Sequence, residues 1–73
     1  MKEKMTKLDI QAVLALADNN MNVAKTGKEL FFHRNTIVYH LDKVKRNTGL
    51  DPLNFYDLMK LVLCLKEGEN NEP

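Results

Sequence analysis

Apolar residues recur along this chain at intervals of three and four, as helices with one buried side require, and nowhere in the alternation of a strand. In the central stretch, Asn22 to Asn47, two such patterns meet at a short break, Phe31-Phe32-His33. The first sets Val23, Leu30 and the small Gly27 toward one side, and the second repeats Ile37, Leu41 and Val44 as a helical stripe. Two helices joined by so short a break predict a helix-turn-helix. Ahead of it, Ile10, Val13, Leu14, Ala17 and Met21 predict a helix over about residues 8–20 with one buried face. Thr6 or Asp9 stands near its start, and Asn19-Asn20 suits its stop because Asn tolerates left-handed backbone. After the unit, Asp51-Pro52-Leu53 reads as a connector to a last helix over about residues 55–66, ended by Gly68. Phe55, Leu58, Met59, Val62 and Leu65 line one side of it, and Tyr56, Leu61, Leu63 and Cys64 widen its apolar arc beyond one core face. Cys64 is read as a small buried hydrophobe. The pattern predicts an all-α fold, a small four-helix domain over residues 8–67, with a flexible lead-in at 1–7 and a polar tail at 68–73.

Local chemistry marks the joints. Asn22 and Asn54 suit helix N-caps, Asp57 adds favourable charge in a first turn, and Gly49 suits a C-terminal cap. Gly27 inside a helix costs about 1 kcal/mol relative to Ala, so close approach of the second helix is the better reason for it. Phe31 stands where many helix-turn-helix units carry Gly in left-handed backbone. Either this turn has another geometry, or burial of Phe31 and Phe32 offsets the strain.

Charge sharpens the picture. The chain of 73 residues carries a net charge of only +1, but its distribution is uneven. Residues 22–47 hold six bases (Lys25, Lys28, Arg34, Lys43, Lys45, Arg46) against Glu29 and Asp42, a balance of +4. The segments before and after balance at zero and −3. Excess positive charge on the bihelical unit fits nucleic acid, because Lys and Arg neutralise phosphates and release counterions. Away from the apolar stripe of the second helix lie Asn35, Thr36, Tyr39, Lys43 and Arg46, read as a surface for the major groove.

Arg34 can pair bidentately with guanine or clamp a phosphate, and Asn35 matches adenine or satisfies helix-start N–H groups. Thr36 is placed for a phosphate, and Tyr39 for a phosphate, a thymine methyl or a neighbouring helix. Lys43, Lys45 and Arg46 near the helix end favour the helix dipole, and Lys43 and Arg46 are candidates for phosphate contact as well. With His33 and His40, the candidate DNA-binding residues are His33, Arg34, Asn35, Thr36, Tyr39, His40, Lys43 and Arg46.

Other chemistries find little support. His33 and His40 are seven apart, about 10 Å along a helix, too far to share an ion, and Cys64 has no ligand-spaced partner. No metal site, cofactor or enzyme activity is expected, since neither a nucleophile–base set nor a glycine-rich phosphate loop occurs. No apolar run is long enough to span a membrane, and the charged start MKEKMTKL lacks a signal core. A cytoplasmic, nucleoid-associated protein is expected, and the single cysteine agrees with a reducing compartment.

The run Leu30-Phe31-Phe32-His33-Arg34-Asn35-Thr36, followed by Tyr39, Leu41 and Thr48-Gly49-Leu50-Asp51-Pro52, resembles the C-terminal DNA-binding domain of the PucR/CdaR family. These are bacterial regulators of purine and sugar-diacid catabolism, and their helix-turn-helix is similar to that of the nucleoid protein Fis. The resemblance implies a four-helix, Fis-like domain that binds operator DNA as a dimer, with DNA-facing positions at Arg34, Asn35, Thr36 and Tyr39. It also implies a sensor domain in a longer parent chain, the other possibility being a minimal stand-alone relative. Val38 and His40 stand where the family commonly has arginines, which lowers positive charge beside Tyr39. Gly27 replaces a usual alanine.

The leading expectation is sequence-specific binding of double-stranded DNA by a homodimer formed through residues 55–66. The alternative is a protein-interaction module that keeps the fold without the DNA contacts.

Overall fold

The computed structural model describes residues 5–70, with side chains through residue 67, as four helices and no strand among them. They are α1 (Lys7–Asp18), α2 (Val23–Leu30), α3 (Arg34–Thr48) and α4 (Phe55–Asn70). Residues 1–4 and 71–73, the outer parts of the expected lead-in and tail, lie outside the described residues.

Each joint has an identifiable cause. Thr6 caps α1 through a reciprocal box: its hydroxyl accepts from the Asp9 N–H at 3.2 Å, and the Asp9 carboxylate accepts from the Thr6 N–H at 2.8 Å. At the other end Asn20 and Met21 both take left-handed backbone, and the Met21 N–H returns to the Leu16 carbonyl at 2.8 Å. The Asn22 side chain caps α2 by accepting from the Lys25 N–H. Gly49, at φ 77, closes α3, and its N–H donates to the Lys45 carbonyl. Asn54 accepts from the Asp57 N–H at the start of α4, while Asp57 itself accepts from the Asp51 N–H and ties the connector down.

α1 is the hub, packing against each of the other three helices. Ala12, Val13 and Leu16 from α1 join Ile37, Leu41 and Val44 from α3, and Leu58 and Leu61 from α4, in one core. That position corrects the expected α1 face. Ala12 and Leu16 are fully buried, whereas Ile10, Leu14, Ala17 and Met21 are only partly so, because three neighbours cover more than one stripe. The helix also ends at Asp18, before the expected Asn20.

α4 departs from expectation at two points. It continues through Gly68 to Asn70, since glycine costs a helix only about 1 kcal/mol and does not by itself stop one. Cys64 is exposed, not buried, because it lies off the side that α1 covers.

Candidate DNA interface

The crossing of α2 and α3 depends on a missing side chain. A Cβ at residue 27 would lie 2.7 Å from the Phe32 carbonyl oxygen, closer than van der Waals contact allows. Gly27 is therefore a requirement of the tight turn. Thr26 beside it is fully buried, with its hydroxyl donating to the Asn22 carbonyl. At the turn itself Phe31 adopts φ 62 and ψ 38, the left-handed region, at a cost of about 1–2 kcal/mol for a non-glycine residue. Burial does not offset this. Phe31 is 92% exposed and Phe32 38% exposed.

His33 then caps α3, its Nδ1 accepting from the Asn35 N–H at 3.0 Å. The cap works only while Nδ1 is unprotonated. With Ile37, Leu41 and Val44 turned into the core, positions two residues away along a helix of 3.6 residues per turn face outward. Asn35 is exposed there, Tyr39 is 54% exposed, and Asp42 and Arg46 continue the side as an ion pair. Arg34 is exposed at the N-terminal end, with Thr36 half-buried on the flank.

Two sequence-derived candidates point elsewhere. His40 Nδ1 lies 2.6 Å from Asp9 Oδ1, and Lys43 Nζ lies 3.2 Å from Asp9 Oδ2. The His40 and Lys43 side chains are only 13% and 12% exposed, and Asp9 is completely buried. Burial pushes the Asp9 carboxyl up, but the Thr6 backbone N–H, His40 and Lys43 together outweigh it and hold it below its ordinary value. The ionised carboxylate can only accept, so the His40 Nδ1 carries the proton. His40 and Lys43 thus clamp α3 onto α1, and the His40 ring also meets the Tyr39 ring edge-on, with centroids 5.1 Å apart. The residue that local reading missed is Asp9, which the sequence placed only near the start of α1 and which gave no sign of this second role.

Pairing also redistributes charge. Lys43, Lys45 and Arg46 are matched with Asp9, Asp51 and Asp42. Among the described residues, Lys25, Lys28 and Arg34 form no ion pair, nor do Lys7 in α1 and Lys60 and Lys66 in α4. Unpaired bases thus flank the turn on both sides, at Lys28 and Arg34. No group of three His, Cys, Asp or Glu suited to a metal ion occurs among the described residues, and no described helix is long and apolar enough to cross a membrane.

A bihelical unit with a glycine-dependent crossing, a capped second helix and an open polar side defines a helix-turn-helix domain of the transcription-regulator class. The family is equally plain: this chain belongs to the PucR C-terminal helix-turn-helix domain family, whose pattern matches residues 5–66. It is similar to the carbohydrate diacid regulator of Escherichia coli (strain K12), 41% identical over 51 residues, which is 70% of this chain and 13% of that protein. It is also similar to the uncharacterized protein YxkF of Bacillus subtilis (strain 168), 36% identical over 56 residues, 75% of this chain and 18% of that protein. The chain thus spans less than a fifth of either relative. No solved structure matches.

Proposed function

We propose that this chain binds operator DNA within a cytoplasmic, nucleoid-associated transcription regulator, laying α3 in the major groove as part of a homodimer. One relationship carries the reading: Asn35 and Tyr39 stand open on the side of α3 opposite its buried stripe, with Arg34 at its N-terminal end. Arg34 pairs with guanine O6 and N7, Asn35 with adenine N6 and N7, and Thr36 with a phosphate at the helix N-terminus. Tyr39 extends the footprint, and Arg46 meets a phosphate at its far end. His33, having committed Nδ1 to the cap, offers Nε2 to the backbone. His40 and Lys43 are left out, because Asp9 holds their polar ends.

The dimer reading is supported by α4. Phe55, Tyr56, Met59 and Leu63 are 59, 66, 46 and 57% exposed. Phe55, Met59 and Leu63, together with Ala17 and Met21, border an apolar groove of about 420 Å³. A second copy related by a two-fold axis would cover it and set two α3 helices about 34 Å apart, one turn of DNA. Sedimentation at micromolar concentration should show a dimer that Met59→Glu with Leu63→Glu dissociates. The size of the two relatives supports a longer parent chain with a sensor domain.

Titration of a labelled random-sequence duplex at two salt concentrations tests DNA binding. Affinity should fall steeply with salt, and Lys28→Ala with Arg34→Ala should reduce the logarithmic slope by about 2. Methylation of guanine N7 should block binding if α3 occupies the major groove. Absence of salt-sensitive binding would overturn the reading in favour of a protein-interaction module, which the exposed α4 stripe would then serve.

A further inference from the structure

The turn between α2 and α3 contains a strain that the fold does not use. Phe31 holds left-handed backbone, where glycine is unstrained and an aromatic residue is not, yet its ring is 92% exposed. A bulky residue in such a conformation is ordinarily kept because its side chain completes a core. This ring buries almost nothing within the chain. Backbone strain with no internal return is found where something outside the chain binds.

The charge pattern indicates what that is. Among the described residues, Lys25, Lys28 and Arg34 are bases without an ion pair, and Lys28 and Arg34 bracket Phe31 at three residues on either side. The ring therefore sits between two bases that no acidic side chain pairs. It also lies directly ahead of the helical turn that carries Arg34, Asn35 and Thr36. A polyanion held by Lys28 and Arg34 brings its own apolar edge against whatever lies between them.

We propose that Phe31 is an apolar contact to duplex DNA, its ring laid on the deoxyribose and thymine-methyl carbons beside phosphates neutralised by Lys28 and Arg34. This rests on the DNA-binding reading above and adds a contact that carries no charge. Such a contact strengthens binding by the same factor at every salt concentration, whereas Arg34 contributes to the salt slope. Left-handed backbone aims the ring outward, which explains why a strained aromatic replaces glycine there.

The experiment compares Phe31→Gly, Phe31→Ala and Phe31→Tyr with Arg34→Ala, by titrating a labelled random-sequence duplex at two salt concentrations. Thermal unfolding is measured on each protein. Phe31→Gly relieves the strain and should raise the unfolding midpoint by a few degrees. It should nonetheless bind about tenfold more weakly at both salts with an unchanged slope, and Phe31→Ala should match it in binding. Phe31→Tyr keeps the ring and should bind as the wild type does. Weakening by Gly but not by Ala would show that a loosened turn is responsible and would overturn the proposal. Full affinity of both, with Arg34→Ala impaired, would overturn it while leaving the DNA reading intact. Wild-type protein that shows no salt-sensitive binding overturns both.

Discussion

Asp9 Oδ1 and His40 Nδ1 lie 2.6 Å apart although 31 positions separate the two residues, and this contact joins the first turn of α1 to the middle of α3. The other oxygen of the same carboxylate receives Lys43 and the Thr6 N–H. Removing one member of a buried ionic cluster leaves the remaining charges without compensation. Asp9→Asn should therefore destabilise the fold by about 3 kcal/mol, the low end for a buried pair, because His40 and Lys43 keep slight access to water. A urea-unfolding midpoint measured at neutral pH checks this, and an unchanged midpoint would refute the role given to Asp9.

The same carboxyl makes the fold acid-sensitive in a definite window. Its folded value is depressed, so the folded chain binds fewer protons than the unfolded chain as pH falls below the ordinary value of 3.8. The stabilisation it supplies is complete above that value and disappears as pH falls through the lower folded value. The stability difference between wild type and Asp9→Asn should shrink as pH falls below about 4. Unfolding curves recorded at successive pH values would show it.

Gly27→Ala sets helix propensity against geometry. Alanine gains about 1 kcal/mol in an unobstructed helix interior. Here its Cβ would meet a backbone carbonyl at 2.7 Å, and a main-chain atom cannot swing aside as a flexible side chain does. The net effect should be a loss of about 1–2 kcal/mol, with displaced amide resonances around Phe31 and Phe32 in a proton–nitrogen spectrum.

Lys43 and Arg34 should separate stability from DNA contact. Lys43→Met removes one partner of Asp9 and should lower the unfolding midpoint while leaving the salt slope of DNA binding close to the wild type. Arg34→Ala should do the reverse, flattening the slope by about 1 with little change in stability. Equal effects of both variants on the slope would count against the division of labour drawn here.

How much of this was legible in advance follows from the range of the interactions. Asn22, Asn54 and Gly49 act on backbone within a few residues, so their capping roles could be read from neighbours alone. The close approach at Gly27 was likewise local, whereas at Phe31 the sequence left open another turn geometry or strain offset by burial, and the structure has left-handed backbone with the ring exposed. Asp9 was different. Its burial depends on how α1 crosses α3, and no spacing within α1 encodes that crossing. The same is true of His40 and Lys43: helical spacing places Lys43 one turn beyond Tyr39, yet its four-carbon stem reaches round the flank to a carboxylate that sequence alone does not locate. The exposed flank of α4 was readable only as an excess of apolar residues, and Cys64 fell on the open side of it.

The box at Thr6 and Asp9 has a mechanical consequence. One carboxylate both ties off the entry to α1 and grips the helix that faces outward, so no slack joint separates the two. A tug or twist on the chain ahead of Thr6 is transmitted to α3 through a linkage two hydrogen bonds long, as through a short stiff lever.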